Sequence, residues 1–209
     1  MMKIDLHLHT SDRSPCSDIS ISELIAEAKR IGLDGFCLTE HQSIWPLEET
    51  EELARNEGIR IFRGNEITSA QGDVLVYGLE KDIKGVVPIK ALQKEVVAAG
   101  AFSVLAHPFR GFKMFGIGEL QMSVEQACKK KALQFVNAVE IANGKVRDKE
   151  NEMAMKVAEA LGLPGTAGSD AHNVDEVGLF VTIFERDIKN DADLVAELHA
   201  GRFSTGNAR

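Results

Sequence analysis

"KIDLHLHT", residues 3–10, sets His7 and His9 two residues apart at the end of a short apolar alternation. Side chains alternate along an extended strand, so residues two apart share a face and both imidazoles can turn inward together. A single histidine at a strand end is ordinary, but the rest of the chain repeats the arrangement. "LDGFCLTEH" ends in His41, "IRIFRGNE" in Glu66, "AFSVLAH" in His107, "NAVE" in Glu140, and "PGTAGSDAH" in Asp170 and His172. Of the 6 histidines only His199, in the helical stretch "DADLVAELHAG", falls outside the set, and it reads as a surface residue.

The segments between these runs are helical in pattern. "SISELIAEAKRIG" has apolar residues at helical spacing, Ser20 or Ser22 as an N-cap and Gly32 as a stop. "EETEELARNEG", "PIKALQKEVVAAG" and "RDKENEMAMKVAEALG" likewise end at glycine and lead into another apolar run. Short apolar runs alternating with amphipathic helices predict an α/β fold of parallel strands and crossover helices. In a β/α barrel the C-terminal strand ends meet at one mouth, which would gather these side chains.

The 209 residues suffice for one domain, 1–209, with a core of its own. A net charge of -8 argues against bulk nucleic-acid binding through the phosphate backbone. Cys16, Cys37 and Cys128 form no CxxC pair and are odd in number, which predicts free thiols in a reducing compartment. No apolar run approaches a membrane span, and no basic segment followed by an apolar one opens the chain, so a cytoplasmic location is expected.

Imidazoles and carboxylates together suit zinc, manganese or iron rather than calcium or an all-thiolate site. His7, His9, His41, His107, His172, Glu66 and Asp170 exceed the four ligands of one tetrahedral zinc, so more than one ion is implied. A shared carboxylate such as Glu66 or Asp170 can bridge two ions about 4 Å apart.

"DLHLHT", "LTEH", "GNE", "LAHP" and "GSDAH", in that order, resemble the PHP family (polymerase and histidinol phosphatase). The resemblance implies a distorted seven-stranded, TIM-like β/α barrel with two or three divalent metal ions (zinc, manganese or iron) at its mouth. It also implies phosphoester hydrolysis by a metal-activated water, with His7, His9, His41, Glu66, His107, Asp170 and His172 as ligands. Several positions depart from the family pattern. Where many members carry a ligand aspartate after HxHT, this chain reads "SDRSPCSD", with Cys16 nearest the slot and Asp12 and Asp18 flanking it. Glu40 stands where TDH is frequent and reads as a residue that orients a ligand or as an exposed one, and Asp73, in place of a histidine of some trinuclear members, is a possible ligand. Glu140 and Asn143 of "VEIANGK" read as residues that support ligands or touch substrate.

Arg110 follows "AHPF" and is the first candidate phosphate anchor; Arg13 and Lys113 are loop cations of lesser claim. The glycine-rich stretch at 110–120 is either a lid or a packed connector. The expected function is hydrolysis of a small phosphorylated metabolite or nucleotide. The alternatives are a nuclease or phosphodiesterase acting on nucleic acid, and a metal-binding module without catalysis.

Overall fold

The computed structural model describes residues 1–111 and 122–209. In chain order the elements are β1 (Met2–Leu8), α1 (Ile21–Arg30), β2 (Gly35–Leu38), α2 (Leu47–Glu57), β3 (Arg60–Ser69), β4 (Gly72–Tyr77), α3 (Ile89–Ala99), β5 (Phe102–Leu105), α4 (Val124–Ala127), β6 (Ala138–Asn143), α5 (Asp148–Leu161), β7 (Gly165–Gly168), β8 (Val181–Phe184), α6 (Asp191–Ala200) and β9 (Phe203–Gly206). The long helices lie where their patterns predict. At α1 the Ser20 side chain accepts from the Glu23 amide while the Glu23 carboxylate accepts from the Ser20 amide, closing a capping box. Leu24, Ile25 and Ala28 form its buried face. Helices α2, α3 and α5 each stop on a left-handed glycine, Gly58, Gly100 and Gly162, a conformation that L side chains adopt only with strain.

The strands form one curled sheet in the order β7-β6-β5-β4-β3-β2-β1-β8-β9. The β7 edge curls round to meet β1 at a seam. Leu8 bridges Ala171 in parallel, and the Asp170 amide donates to the His7 carbonyl at 2.8 Å. Further down, Thr182 Oγ1 on β8 donates to the Ala167 carbonyl at 2.9 Å and accepts from its amide at 3.0 Å. The result is a nearly closed barrel. Its interior packs Ile4, Leu6, Phe62, Leu75, Tyr77 and Val104, while two further cores lie between the sheet and the helices. Tyr77 brings a hydroxyl into this interior and satisfies it on the Leu6 carbonyl at 3.0 Å.

Among the described residues nine strands, rather than the seven expected, make up this sheet, and they are not all parallel. β4 runs antiparallel to both neighbours, and β8 pairs antiparallel with β1 and with β9. For β4 the cause is connection length. Only Ala70 and Gln71 separate β3 from β4, far short of the dozen or more residues a parallel crossover requires. Two of the carboxylates expected at strand ends sit inside strands instead: β3 continues past Glu66 to Ser69, and Glu140 is the third residue of β6. No described helix is long and apolar enough to cross a membrane.

The seam depends on close backbone approach. A Cβ added at Gly168 would lie 2.5 Å from the His7 Cβ and 2.8 Å from its amide nitrogen. Gly168→Ala is therefore expected to push β7 from β1 and cost about 1–3 kcal/mol, lowering the melting temperature by several degrees. A thermal melt indistinguishable from wild type would contradict this account of the closure.

Candidate metal centre

The barrel brings all seven ligand-type residues to one end. His7 is the penultimate residue of β1 and His9 follows the strand; His41 lies three residues beyond β2 and bridges to Glu66 of β3. His107 comes two residues after β5, and Asp170 and His172 follow β7. Glu66 sits at the centre. Its Oε2 is 3.2 Å from His9 Nε2, 3.1 Å from His41 Nδ1 and 3.5 Å from His7 Nε2, while Oε1 is 3.0 Å from His107 Nε2. Asp170 Oδ1 lies 3.6 Å from His7 Nε2 and 3.5 Å from His9 Nε2.

Donor atoms converge within 4.8 Å in four groups: His9, His41 and His172; His7, His9 and Glu66; His7, His107 and Asp170; and Glu66, Asp73 and His107. Of the sequence's further candidates, Asp73 is the one the structure brings to the cluster. Asp12, Asp18 and Cys16 do not join any of these groups. Asp12 accepts the Ile21 amide at the start of α1 at 2.8 Å, and Asp18 and Cys16 are exposed. Partial burial, and then the carboxylates of Glu40, Glu66 and Asp170, push the Cys16 thiol up and so disfavour the thiolate. All three cysteines are free thiols, as expected.

The supporting carboxylates hold the ligand-type side chains in place. Glu140 Oε1 lies 2.9 Å from His7 Nδ1, and its Oε2 accepts from the His107 amide at 2.8 Å and from Asn143 Nδ2 at 2.9 Å. A proton on His7 Nδ1 held this way leaves Nε2 to face Glu66 and Asp170, the arrangement by which carboxylates orient metal-binding histidines. His172 Nδ1 is held by the Asp170 carbonyl at 2.8 Å in a similar sense. Glu40 is buried. It accepts from Thr10 Oγ1 at 2.5 Å, Ser14 Oγ at 2.5 Å and Trp45 Nε1 at 2.9 Å, and so ties the loop after β1 to the loop after β2.

Asp5 was not singled out in the sequence, yet its buried carboxylate accepts amides of His7, Ser169 and Gly178 at 3.3, 2.9 and 3.0 Å. It couples β1 to the segment that carries Asp170 and His172. Its only sequence signal is a charge within an otherwise apolar run, "KIDLHL".

Backbone strain gathers at the same end. Among the described residues, the non-glycine positions with positive φ are Gln42, His107 and Asp170, at 55°, 26° and 55°. Each such position costs about 1–3 kcal/mol and persists only where neighbours enforce it. Here the amides of these residues are held by the Glu66 carbonyl, the Glu140 carboxylate and the His7 carbonyl.

Burial opposes charge on His7, but Asp170, Glu140 and Glu66 outweigh it and hold the imidazole well above its ordinary range. Glu66 and Asp170 are likewise penalised by burial, yet the imidazoles around them, His7 foremost, keep both below the ordinary carboxylate range. His7 Nε2 and His9 Nε2 face each other at 3.2 Å, and His9 Nδ1 is buried without a hydrogen-bond partner. Nitrogen and oxygen donors packed against two ionised carboxylates fit divalent cations of the zinc, manganese or iron type.

Around the mouth, Arg110 Nη1 donates to Asp170 Oδ2 at 3.0 Å with 46% of its side chain exposed. Arg13 instead pairs with Glu49 at 3.0 Å and stacks over Trp45. Lys113 and the stretch 112–120 of the glycine-rich segment lie outside the described residues. His199 packs its ring edge-on against Phe102 on another part of the molecule.

Comparison with known proteins places this geometry. The family profile described as PHP domain matches residues 5–163, and one described as PHP-associated matches 148–203. An uncharacterised protein of Methanocaldococcus jannaschii is 28% identical over 118 residues, spanning 52% of this chain and 68% of that one. A Bifidobacterium adolescentis structure, provisionally described as a metal-dependent phosphoesterase, has a TM-score of 0.65 at 15% identity over 93% of this chain and 95% of its own. The lesion-specific endonuclease Q of Pyrococcus furiosus gives 0.61 at 15% identity, covering 95% of this chain and 56% of that one.

Ligation requires the imidazoles to be neutral, so a cation entering the cluster must displace the protons that its carboxylates stabilise. Apparent metal affinity is expected to rise with pH by up to about tenfold per unit for each proton displaced. The sign for stability is opposite in the metal-free protein. His7 contributes most below the ordinary histidine range, and its contribution is lost as pH rises through its raised value, because Glu66 and Asp170 lose a countercharge. Calorimetric titration with manganese in buffers of different ionisation enthalpy measures the proton release directly; affinity independent of pH would contradict this electrostatic picture.

Proposed function

The chain belongs to the PHP domain family, whose members are typically metal-dependent hydrolases, and from that premise we propose that it hydrolyses phosphate esters of small metabolites or nucleotides with two or three divalent ions. The observation that carries this reading is the Glu66-centred cluster of four histidines and Asp170, with an arginine beside it. Hydrolysis joins a water oxygen to phosphorus, breaks the bond from phosphorus to the ester oxygen, and leaves that oxygen with a proton from water. Divalent ions bound here would supply Lewis acidity, lowering the pKa of water and neutralising charge on phosphoryl oxygens.

The chain's own side chains supply position. His7 and Glu66 are buried, whereas His41 and His172 keep 42% and 16% of their side chains exposed, so the cluster is open on the side of these two imidazoles. A phosphoryl group bound at the cluster beside Asp170 would meet Arg110, whose planar guanidinium has five donors and uses one of them on Asp170. Asp170 in turn holds that arginine in register with the histidines. The net charge of -8 favours a small substrate over a polynucleotide.

The test is to strip the metals, restore manganese, zinc or iron one at a time, and compare para-nitrophenyl phosphate with bis-para-nitrophenyl phosphate. Turnover of the monoester is expected, falling at least about 100-fold in His107→Ala, with KM raised about tenfold in Arg110→Ala. Preference for the diester would replace this reading with a nuclease or phosphodiesterase. Tight metal binding without cleavage of either ester would instead favour a module without catalysis.

A further inference from the structure

A cavity of about 320 Å³ opens beside the cluster, lined by Asp73 and His107 on one side and by Gln71, Leu105, Arg110 and Lys130 around the rest. Asp73 and His107 converge with Glu66, so the cavity is continuous with the candidate metal centre. It has the volume of a small-molecule site. Its charged lining is unusual in a chain of net charge -8, because two of its members are cations. They are anchored separately: Arg110 on the Asp170 carboxylate, and Lys130 on the Pro108 carbonyl and over the Phe109 ring at 4.8 Å. The Lys130 side chain is half-buried, which positions its ammonium within the wall. An ammonium held in that wall can give an anion in the cavity a charge-assisted hydrogen bond.

Resting on the phosphoesterase reading above, we propose that this cavity receives the leaving group of the substrate and that Lys130 selects leaving groups carrying a second anionic group, a carboxylate or a phosphate. The substrate class is then a small phosphomonoester with two separated anionic ends. The reacting phosphoryl group lies at the histidine cluster beside Arg110, and the second anion lies at Lys130. Burial lowers the ammonium's pKa, and a bound anion would oppose that shift.

The test uses binding as well as turnover, so that the two readings fail separately. With manganese-loaded protein, dissociation constants are measured for the non-hydrolysable pair 4-(phosphonomethyl)benzoate and benzylphosphonate, which differ in one carboxylate, and for 1,4-xylylenediphosphonate as the second-phosphate arm. Hydrolysis is compared for 4-carboxyphenyl phosphate and phenyl phosphate. Wild type is expected to favour the doubly anionic compounds by about tenfold. That ratio should collapse towards one in Lys130→Met and survive in Lys130→Arg, with melting temperature and manganese stoichiometry recorded for both variants. A preference confined to the carboxylate or to the phosphonate arm identifies the second anion. A ratio near one in wild type, or one unchanged in Lys130→Met, overturns the proposal. Selective binding without cleavage of either ester would uphold the cavity's role while overturning the phosphoesterase reading.

Discussion

Glu66 is a carboxylate with about 2% of its side chain exposed, and the mouth of the barrel is organised around satisfying it. Burying an ionised carboxylate is expensive unless positive charge and hydrogen bonds surround it. Here His7, His9, His41 and His107 all approach its two oxygens, and those four residues come from three different stretches around the barrel. Asp170 imposes the same demand from the other side of His7 and His9. Two buried carboxylates so close together repel, so the cluster needs cations between them. Protons on imidazoles can serve, and divalent ions serve better, since one ion meets donors from several strands at once.

The rest of the mouth holds that cluster in place. Glu140, Glu40 and Asp5 are buried carboxylates outside the ligand-type set, and each ties a ligand-bearing segment to a neighbouring strand or loop. The positive-φ backbones of His107 and Asp170 belong to the same scheme, because a relaxed backbone would turn those side chains elsewhere. Stability given up at these two residues is stability invested in geometry. The clash that a Cβ would make between Gly168 and His7 shows how little slack the seam has.

Much of this was legible in the sequence because it is local. The helices announce themselves through apolar spacing and terminal glycines, and the ligand-type residues through their place after apolar runs. The ordered motifs from "DLHLHT" to "GSDAH" named the seven residues that the fold gathers. What the sequence hid depends on pairing between distant segments. β4 is six residues long and its reversed direction follows from a two-residue connection, while β8 and β9 become strands by adding to the β1 edge. Asp73 is a possible ligand on the sequence alone, but what brings it to His107 is the pairing of β4 with β5, in which Val74 stands opposite Leu105. Asp5 and Glu40 gain their roles from amides and hydroxyls contributed by other segments, which no spacing rule reveals.

The central claim is that the Glu66 cluster exists to hold divalent cations, and the most direct measurement is anomalous X-ray diffraction from crystals of the protein grown with manganese. The account predicts peaks among the donor atoms of His7, His9, His41, Glu66, His107, Asp170 and His172, with Asp73 beside one of them. Ordered crystals showing these side chains in the same positions and no anomalous peak among them would contradict it.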